Sequence, residues 1–383
     1  RLKLAMDLWC ALWFWPLSEA AQLPTREEWW FVLETLLLGN APLTDQAPAS
    51  DFFPETLPQS TLDFTPEITG RADGARNAKD QWEYDGKGPD VGGTVRWGIS
   101  NNLSLNATAN PDFSQIESDV TQISFDPRDA LSFPEKRPFF LDGLEQFASP
   151  FGLVYSRRLV QPVAAVKLTG KALGTNLGLL SGVDDQVASF DGDHHPVMNV
   201  LRVQKDVGGR SRLGLVYTDR IDGDNWNRVG AVDGRLVFGR SSLVFQTGYG
   251  KTHEFGNSIG GPIWMARFTH SGQWFGVRYQ FNGIDPDFRT RSGFISRSGD
   301  ANLSLTNLLT IKGKPGAFVE SFTPDITLNG TWTYDRLMDG KGVRDPKIHF
   351  NLNAQFKGGW QAGMSLLLEY FGYDPRIYTD YAL

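Results

Sequence analysis

The amino-acid sequence predicts an all-β fold: an antiparallel, up-and-down transmembrane β-barrel with roughly 14 to 16 strands visible. Three observations predict it. Apolar and polar residues alternate with a period of two beyond residue 90. Short turns alternate with long polar connections along the chain. The 383 residues include 41 Gly, 26 Phe, 12 Trp and 10 Tyr with only 21% charged residues, a β-rich composition.

Several classes fall on composition. A single cysteine, Cys10, excludes a disulfide scaffold and any cysteine-based zinc or iron–sulfur site. A net charge of −7 with scattered arginines offers no basic stripe for nucleic acid. No apolar run reaches the length of a membrane helix, whereas barrel strands alternate and never produce one.

Residues 1–39 form a helical, Trp-rich segment that reads as two short helices. The first runs from Leu4 to Trp15 and stops at Pro16; Thr25 caps the second and Gly39 ends it. Arg1, Lys3, an apolar stretch and Ser18-Glu19-Ala20 outline a signal peptide, but Asp7 and the second helix speak against it. The stretches WCALWFWPL and LPTREEW resemble the tail of a large DNA methyltransferase of restriction systems. None of that family's catalytic motifs is present, so the likeness implies a foreign or fused segment and no methylation. Residues 40–65, with Pro42, Pro48, Pro54 and Pro58, read as a linker to a barrel domain over 66–383.

Within that domain alternation is strict over 103–109, 275–281, 326–334 and 348–356. Tight turns fall at Gly208-Gly209, Gly239-Arg240, Ser271-Gly272 and Gly358-Gly359. Long loops are expected at 184–195, 219–228, 251–261, 284–293 and 336–347. Tyr217, Trp226, Trp264, Trp274, Tyr334, Trp360 and Tyr370 suit aromatic girdles near strand ends.

The motifs NPDFSQ, FPEKRPFF and YSRR, with IDPDFRTRSGFISR at 284–297, carry a family likeness. Over about 65–383 the chain resembles a bacterial outer-membrane barrel family of unknown function. Its barrel usually follows a carbohydrate-binding-like domain of the family-nine type. The resemblance implies an outer-membrane location and contact with its lipid. Residues 1–64 are too short for the partner domain. A start at Arg1 and an end at Leu383 without a terminal aromatic suggest a fragment, so the barrel is expected to be incomplete.

Residues 110–158 are too charged to face lipid. Asp112, Glu117, Asp119, Glu135, Lys136, Arg137, Asp142, Arg157 and Arg158 lie beside Phe133, Phe139 and Phe140. They are expected in the lumen or at its periplasmic mouth, as a plug of paired charges or as solute contacts, with structural pairing favoured.

Other chemistry is sparse. Asp112 with Glu117, or Glu135 with Asp142, would be the candidate pairs for glycoside hydrolysis, but spacing in a loop cannot establish their separation. Gly250-Lys251-Thr252 lacks the first glycine of a phosphate loop. His194-His195 and Asp222-Gly223-Asp224-Asn225 sit in acidic loops without complete cation-ligand spacing, and read as solvated. No metal or cofactor is expected. Asn102, Asn106, Asn302 and Asn329 match glycosylation sequons but read as lumen-facing strand positions. The expected function is a non-enzymatic barrel that passes or binds a polar, carbohydrate-related solute. Thr327, Asn329, Thr331, Asn351, Asn353 and Gln355 would line its interior. The alternatives are a glycan hydrolase using lumen carboxylates and a membrane anchor for a carbohydrate-binding domain.

Overall fold

The computed structural model describes residues 61–76, 82–113, 130–172 and 174–372, within one compact unit, Ser60–Leu383. The expected N-terminal helices, the signal-peptide reading, and Glu117 and Asp119 all fall outside the described residues.

Nearly all of the described chain is antiparallel β. The strands are β1 (Thr61–Arg76), β2 (Trp82–Ser100), β3 (Leu103–Ala109), β4 (Pro162–Ala172), β5 (Thr175–Asp184) and β6 (Val197–Asp206). Next come β7 (Arg212–Asp222), β8 (Asn225–Phe238), β9 (Ser241–Glu254), β10 (Asn257–Ser271) and β11 (Phe275–Ile284). The last are β12 (Asp300–Leu309), β13 (Ile311–Lys312), β14 (Val319–Thr333), β15 (Asp345–Phe356) and β16 (Gln361–Glu369). Each strand pairs with its neighbour in sequence, except that β12 pairs directly with β14 and the two-residue β13 sits beside β14. That is the up-and-down order. Among the described residues no pairing joins β1 to β16.

The linker expected over 40–65 ends earlier, because Thr61–Thr65 already pairs with 94–98 as the start of β1. Leu62 and Phe64 alternate there with Asp63 and Thr65, a strand pattern hidden behind the prolines. Asn102 also departs from expectation and lies in the exposed turn between β2 and β3. Two expected long loops are tight hairpins instead. Asp222 and Asn225 flank a two-residue turn, as do Glu254 and Asn257. Gly223 (φ 58°) and Gly256 (φ 78°) supply the left-handed backbone these turns require. The polar residues that imitate a loop at 219–228 pair across strands, as Asp219 does with Arg228 at 3.2 Å.

Long connections do occur at 185–196, 285–299 and 334–344. The last contains a one-turn helix, α2 (Tyr334–Met338), which buries Tyr334. Tyr334 is therefore no girdle residue: its hydroxyl meets the Trp264 indole nitrogen at 3.3 Å. Because the strands alternate in direction, these three connections lie at one end of the sheet. The 110–161 connection leaves and returns at that same end, and the turns 207–211, 239–240, 272–274 and 357–360 lie at the other.

The alternation sorts the two faces. Val166, Leu179, Leu215, Tyr217, Val232, Tyr249, Leu328, Ile348 and Leu366 project apolar surface outward. On the opposite face lie Lys167, Leu180, Val200, Arg202, Asn227, Asp233 and Gln246, all buried. Most are covered by the 130–161 segment, which includes α1 (Pro138–Leu141), while Asn227 meets Arg289 and Arg291 of the 285–299 connection. Asp142 meets Asn106 of β3 at 2.9 Å and Arg96 of β2 at 3.7 Å. Nine residues later, Phe151 shares a cavity wall with Glu369 of β16. A flat sheet would place β2 and β16 about 60 Å apart, while nine residues reach at most about 30 Å. The sheet must therefore curl around the segment.

Two apolar clusters hold the segment in place. Phe139, Phe140, Phe147 and Leu159 pack with Leu180, Met198 and Val200. Leu153 packs with Val216, Val229, Ile263, Ile284 and Phe288.

Candidate functional site

The inner segment is pinned by one charge pair. Arg137 donates to Glu135 from Nε (2.8 Å) and Nη2 (2.8 Å), and to the carbonyls of Leu159 (2.6 Å) and Ser156 (2.9 Å). Its guanidinium also lies 4.2 Å from the Phe140 ring centre. Glu135 further accepts from the amides of Lys136 and Arg137 (both 3.0 Å) and from the Ser156 hydroxyl (2.5 Å). Burial by itself raises the Glu135 pKa, but the hydrogen bonds from Arg137 and Ser156 outweigh it and bring it down to about 2.

The other charged residues of the segment serve its geometry too. Arg157 donates to the Pro134 carbonyl at 2.9 Å and lies over Phe133. Arg158 donates to the Gly293 carbonyl at 3.0 Å; burial, then Arg291 and Arg220, lower its pKa. The amide of Asp112 donates to Glu67 at 2.9 Å. Lys136 stands beside the Glu135–Arg137 pair through its own amide. Lys167 of β4 donates to the carbonyls of Phe139 and Asp142.

The 285–299 connection is the second inward element. Tyr155 donates its amide to Ser292, and Phe294 donates to Gly152. Arg291 grips Glu254 through two 2.7 Å bonds. The sequence marked 284–293 as a long loop and 284–297 by family likeness, but nothing in it signals the inward path.

Two cavities flank Pro150. The first, of about 570 Å³, is lined by Phe151, Asn282, Asn302, Asn329, Thr331 and Lys347, among others. It lies toward the end with long connections, and its charges are matched. Arg297 meets Asp300 at 2.6 Å, Arg344 meets Asp345 at 2.8 Å, and Lys347 meets Glu369 at 3.0 Å. The second, of about 610 Å³, lies toward the short-turn end and is lined by Arg212, Arg235, Arg267, Arg278 and the Arg202–Asp233 pair. Between them the Phe151 amide donates to Gln246 of β9 at 2.6 Å.

The expected polar faces of β14 and β15 fall on this same inner side. Asn329 and Thr331 line the first cavity, Thr327 bonds Thr306 at 2.9 Å, and Asn351 donates to Asp325 at 3.1 Å. Asn302 accepts from Thr331 at 2.9 Å. The second cavity, by contrast, went unnoticed in the sequence. Its arginines are far apart in the chain, and only strand register brings them together.

The acidic loops close on themselves. His194 Nδ1 lies 2.9 Å from Asp191, and Asp222 accepts from Ser189 (2.6 Å) and the Phe190 amide (2.8 Å). Ligand atoms of Asp191, His194 and Asp222 come within 4.8 Å of one another.

Comparisons with known proteins add the following. No curated protein matches the chain. Among solved structures, the chain is similar to OccAB2 of Acinetobacter baumannii at 12% identity and a TM-score of 0.35, covering 83% of this chain and 84% of that one. OccAB1 of Acinetobacter baumannii gives 12% and 0.35, with 81% of each chain covered. OccK10 (OpdN) of Pseudomonas aeruginosa gives 10% and 0.32, covering 81% and 89%. Likeness at this level assigns no activity. Residues 58–173, which hold β1 to β4 and the inner segment, match the model of a domain of unknown function, DUF5916; residues 284–297 lie outside that match.

Proposed function

We propose that this chain is an outer-membrane β-barrel that passes a polar solute through its lumen, its apolar outer face in contact with lipid. The observation that carries the reading is the pair of polar cavities sharing Pro150 on the inner face of a sheet whose outer face is apolar. A solute entering at the end with long connections meets the charge-matched cavity, passes the Pro150–Phe151 shelf, and reaches the arginine-lined cavity. Hydroxyl and amide groups in the first cavity suit a carbohydrate-related solute.

Among the described residues, the Glu135–Asp142 pair does not favour the glycan-hydrolase alternative, while Glu117 of the other candidate pair lies outside them. Glu135 spends both carboxylate oxygens on Arg137, Ser156 and backbone amides, and a pKa of about 2 is wrong for a general acid. Asp142 is likewise committed to Asn106.

The test is reconstitution. The full chain in detergent should migrate differently on a gel before and after heating, and should conduct ions in planar bilayers. Phe151→Gly should raise that conductance by thinning the shelf. Solubility without detergent, or folded protein with no conductance in either form, would overturn the proposal.

A further inference from the structure

We propose that the cavity at the short-turn end is a binding site for a small organic anion bearing carboxylate or phosphate groups, held by Arg212, Arg235, Arg267 and Arg278. The inference rests on the channel reading only for the direction of travel; the site stands on its own geometry.

Strands β7, β8, β10 and β11, with β9 between the two pairs, present these arginines to one cavity. Arg212 and Arg235 are direct cross-strand partners. Arg267 faces Gln280, and Arg278 faces Thr269, so the latter two arginines are diagonal neighbours. Like charges placed directly opposite across a sheet repel. Asp206 stands opposite Arg212 on β6, but its carboxylate is bonded to Lys171 at 2.7 Å and makes no ion pair with the four arginines. The one carboxylate in the wall, Asp233, is committed to Arg202 by bonds of 2.5 and 2.9 Å. Other lining groups are Thr269, Gln204 and Ser242, which offer hydroxyls and an amide but no negative charge.

The contrast with the rest of the inner face is the argument. There, Arg137, Arg202, Arg220, Arg289, Arg291, Arg297 and Arg344 each have a carboxylate or carbonyl partner. Among the described residues, Arg212, Arg235, Arg267 and Arg278 have no hydrogen-bond or ion-pair partner. A cluster of water-exposed guanidinium groups without protein partners in a concave wall is complementary to oxyanions, which accept paired N–H bonds. The spread over several strands suits a solute with more than one acidic group.

The experiment uses the full chain, with succinate and inorganic phosphate as separate probes. Binding is titrated calorimetrically in detergent, and reversal potentials are read in bilayers under a KCl gradient. The wild type should bind at least one probe, and which one identifies the acid. It should also pass chloride in preference to potassium. Replacing all four arginines by Gln should lose the selectivity, and each single change should weaken binding roughly tenfold or more. Arg267→Lys should keep the selectivity while weakening binding. Conductance without anion preference or binding overturns this inference and leaves the channel reading intact. Binding without conductance overturns the channel reading alone. Neither overturns both. If the fourfold variant fails to fold, judged by heat-dependent migration, the wild type and single variants decide.

Discussion

Arg202 on β6 and Asp233 on β8 clasp each other across the intervening strand β7, directly over Gly214. The two bonds measure 2.5 and 2.9 Å, and both side chains are almost fully buried. A Cβ on Gly214 would stand 2.6 Å from Arg202 Nη1 and 2.9 Å from Asp233 Oδ1. The glycine leaves the gap through which the pair closes. Arg202 also donates to the Ala148 carbonyl at 3.2 Å, tying the wall to the inner segment.

Gly214→Val should therefore break the pair, and Asp233→Ala should strand Arg202 without its charge partner. Each should cost roughly 3–5 kcal/mol, as expected when one half of a buried pair is removed. Urea unfolding in detergent, followed by heat-dependent migration, measures it. Unchanged stability in both variants would show that the pair contributes nothing.

Glu135 gives a pH dependence with a fixed sign. Its pKa is lowered from 4.5 to about 2 in the fold. Its contribution is thus complete above about pH 4.5 and is lost as pH falls toward 2. The size is on the order of 3 kcal/mol. Protease susceptibility of residues 130–159 should rise over that window. Glu135→Gln should make the segment susceptible already at pH 7 and flatten the acid response.

His194 works in the opposite direction. Its hydrogen bond to Asp191, and then the charge of Asp191, raise its pKa. The stabilisation of the 185–196 loop is present below about pH 6.5 and fades as pH rises through the elevated value. The exchange protection of residues 189–195, after correction for the base-catalysed intrinsic rate, should fall across that rise. Asp191→Asn should abolish this change in protection; protection independent of pH in the wild type would refute the assignment.

The two faces of the sheet should respond differently to charge. Leu179 lies mid-strand in β5 on the outward face, beside Leu168 and Leu201. Leu179→Arg should cost roughly 2–4 kcal/mol in a lipid-embedded barrel. Asn353→Arg, on the inward face of β15, should cost far less. Equal costs measured by unfolding in lipid would contradict the assignment of faces.

Much of the wall was legible in the sequence because its signals are local. Thr327, Asn329 and Thr331 declare their face by alternation with Ile326, Leu328 and Trp332. The turns at 208–209, 239–240 and 358–359 declare themselves through glycines with positive φ. Polar strand ends misled the reading at 219–228 and 251–261, because cross-strand pairs such as Asp219–Arg228 have the composition of a loop. Tyr334 misled it because burial in α2 cannot be told from girdle exposure by residue type.

By itself, then, the sequence determined an alternating, antiparallel chain with one charge-dense insert, because side-chain period and turn chemistry act over a few residues. Only the tertiary structure decided which charges have partners. Register across β6 to β11 sets Arg202 against Asp233 over Gly214, and the same register collects four arginines in one cavity wall. Electrostatic pairing falls off over a few ångströms, and those distances are set by strand pairing and the curl of the sheet rather than by spacing along the chain.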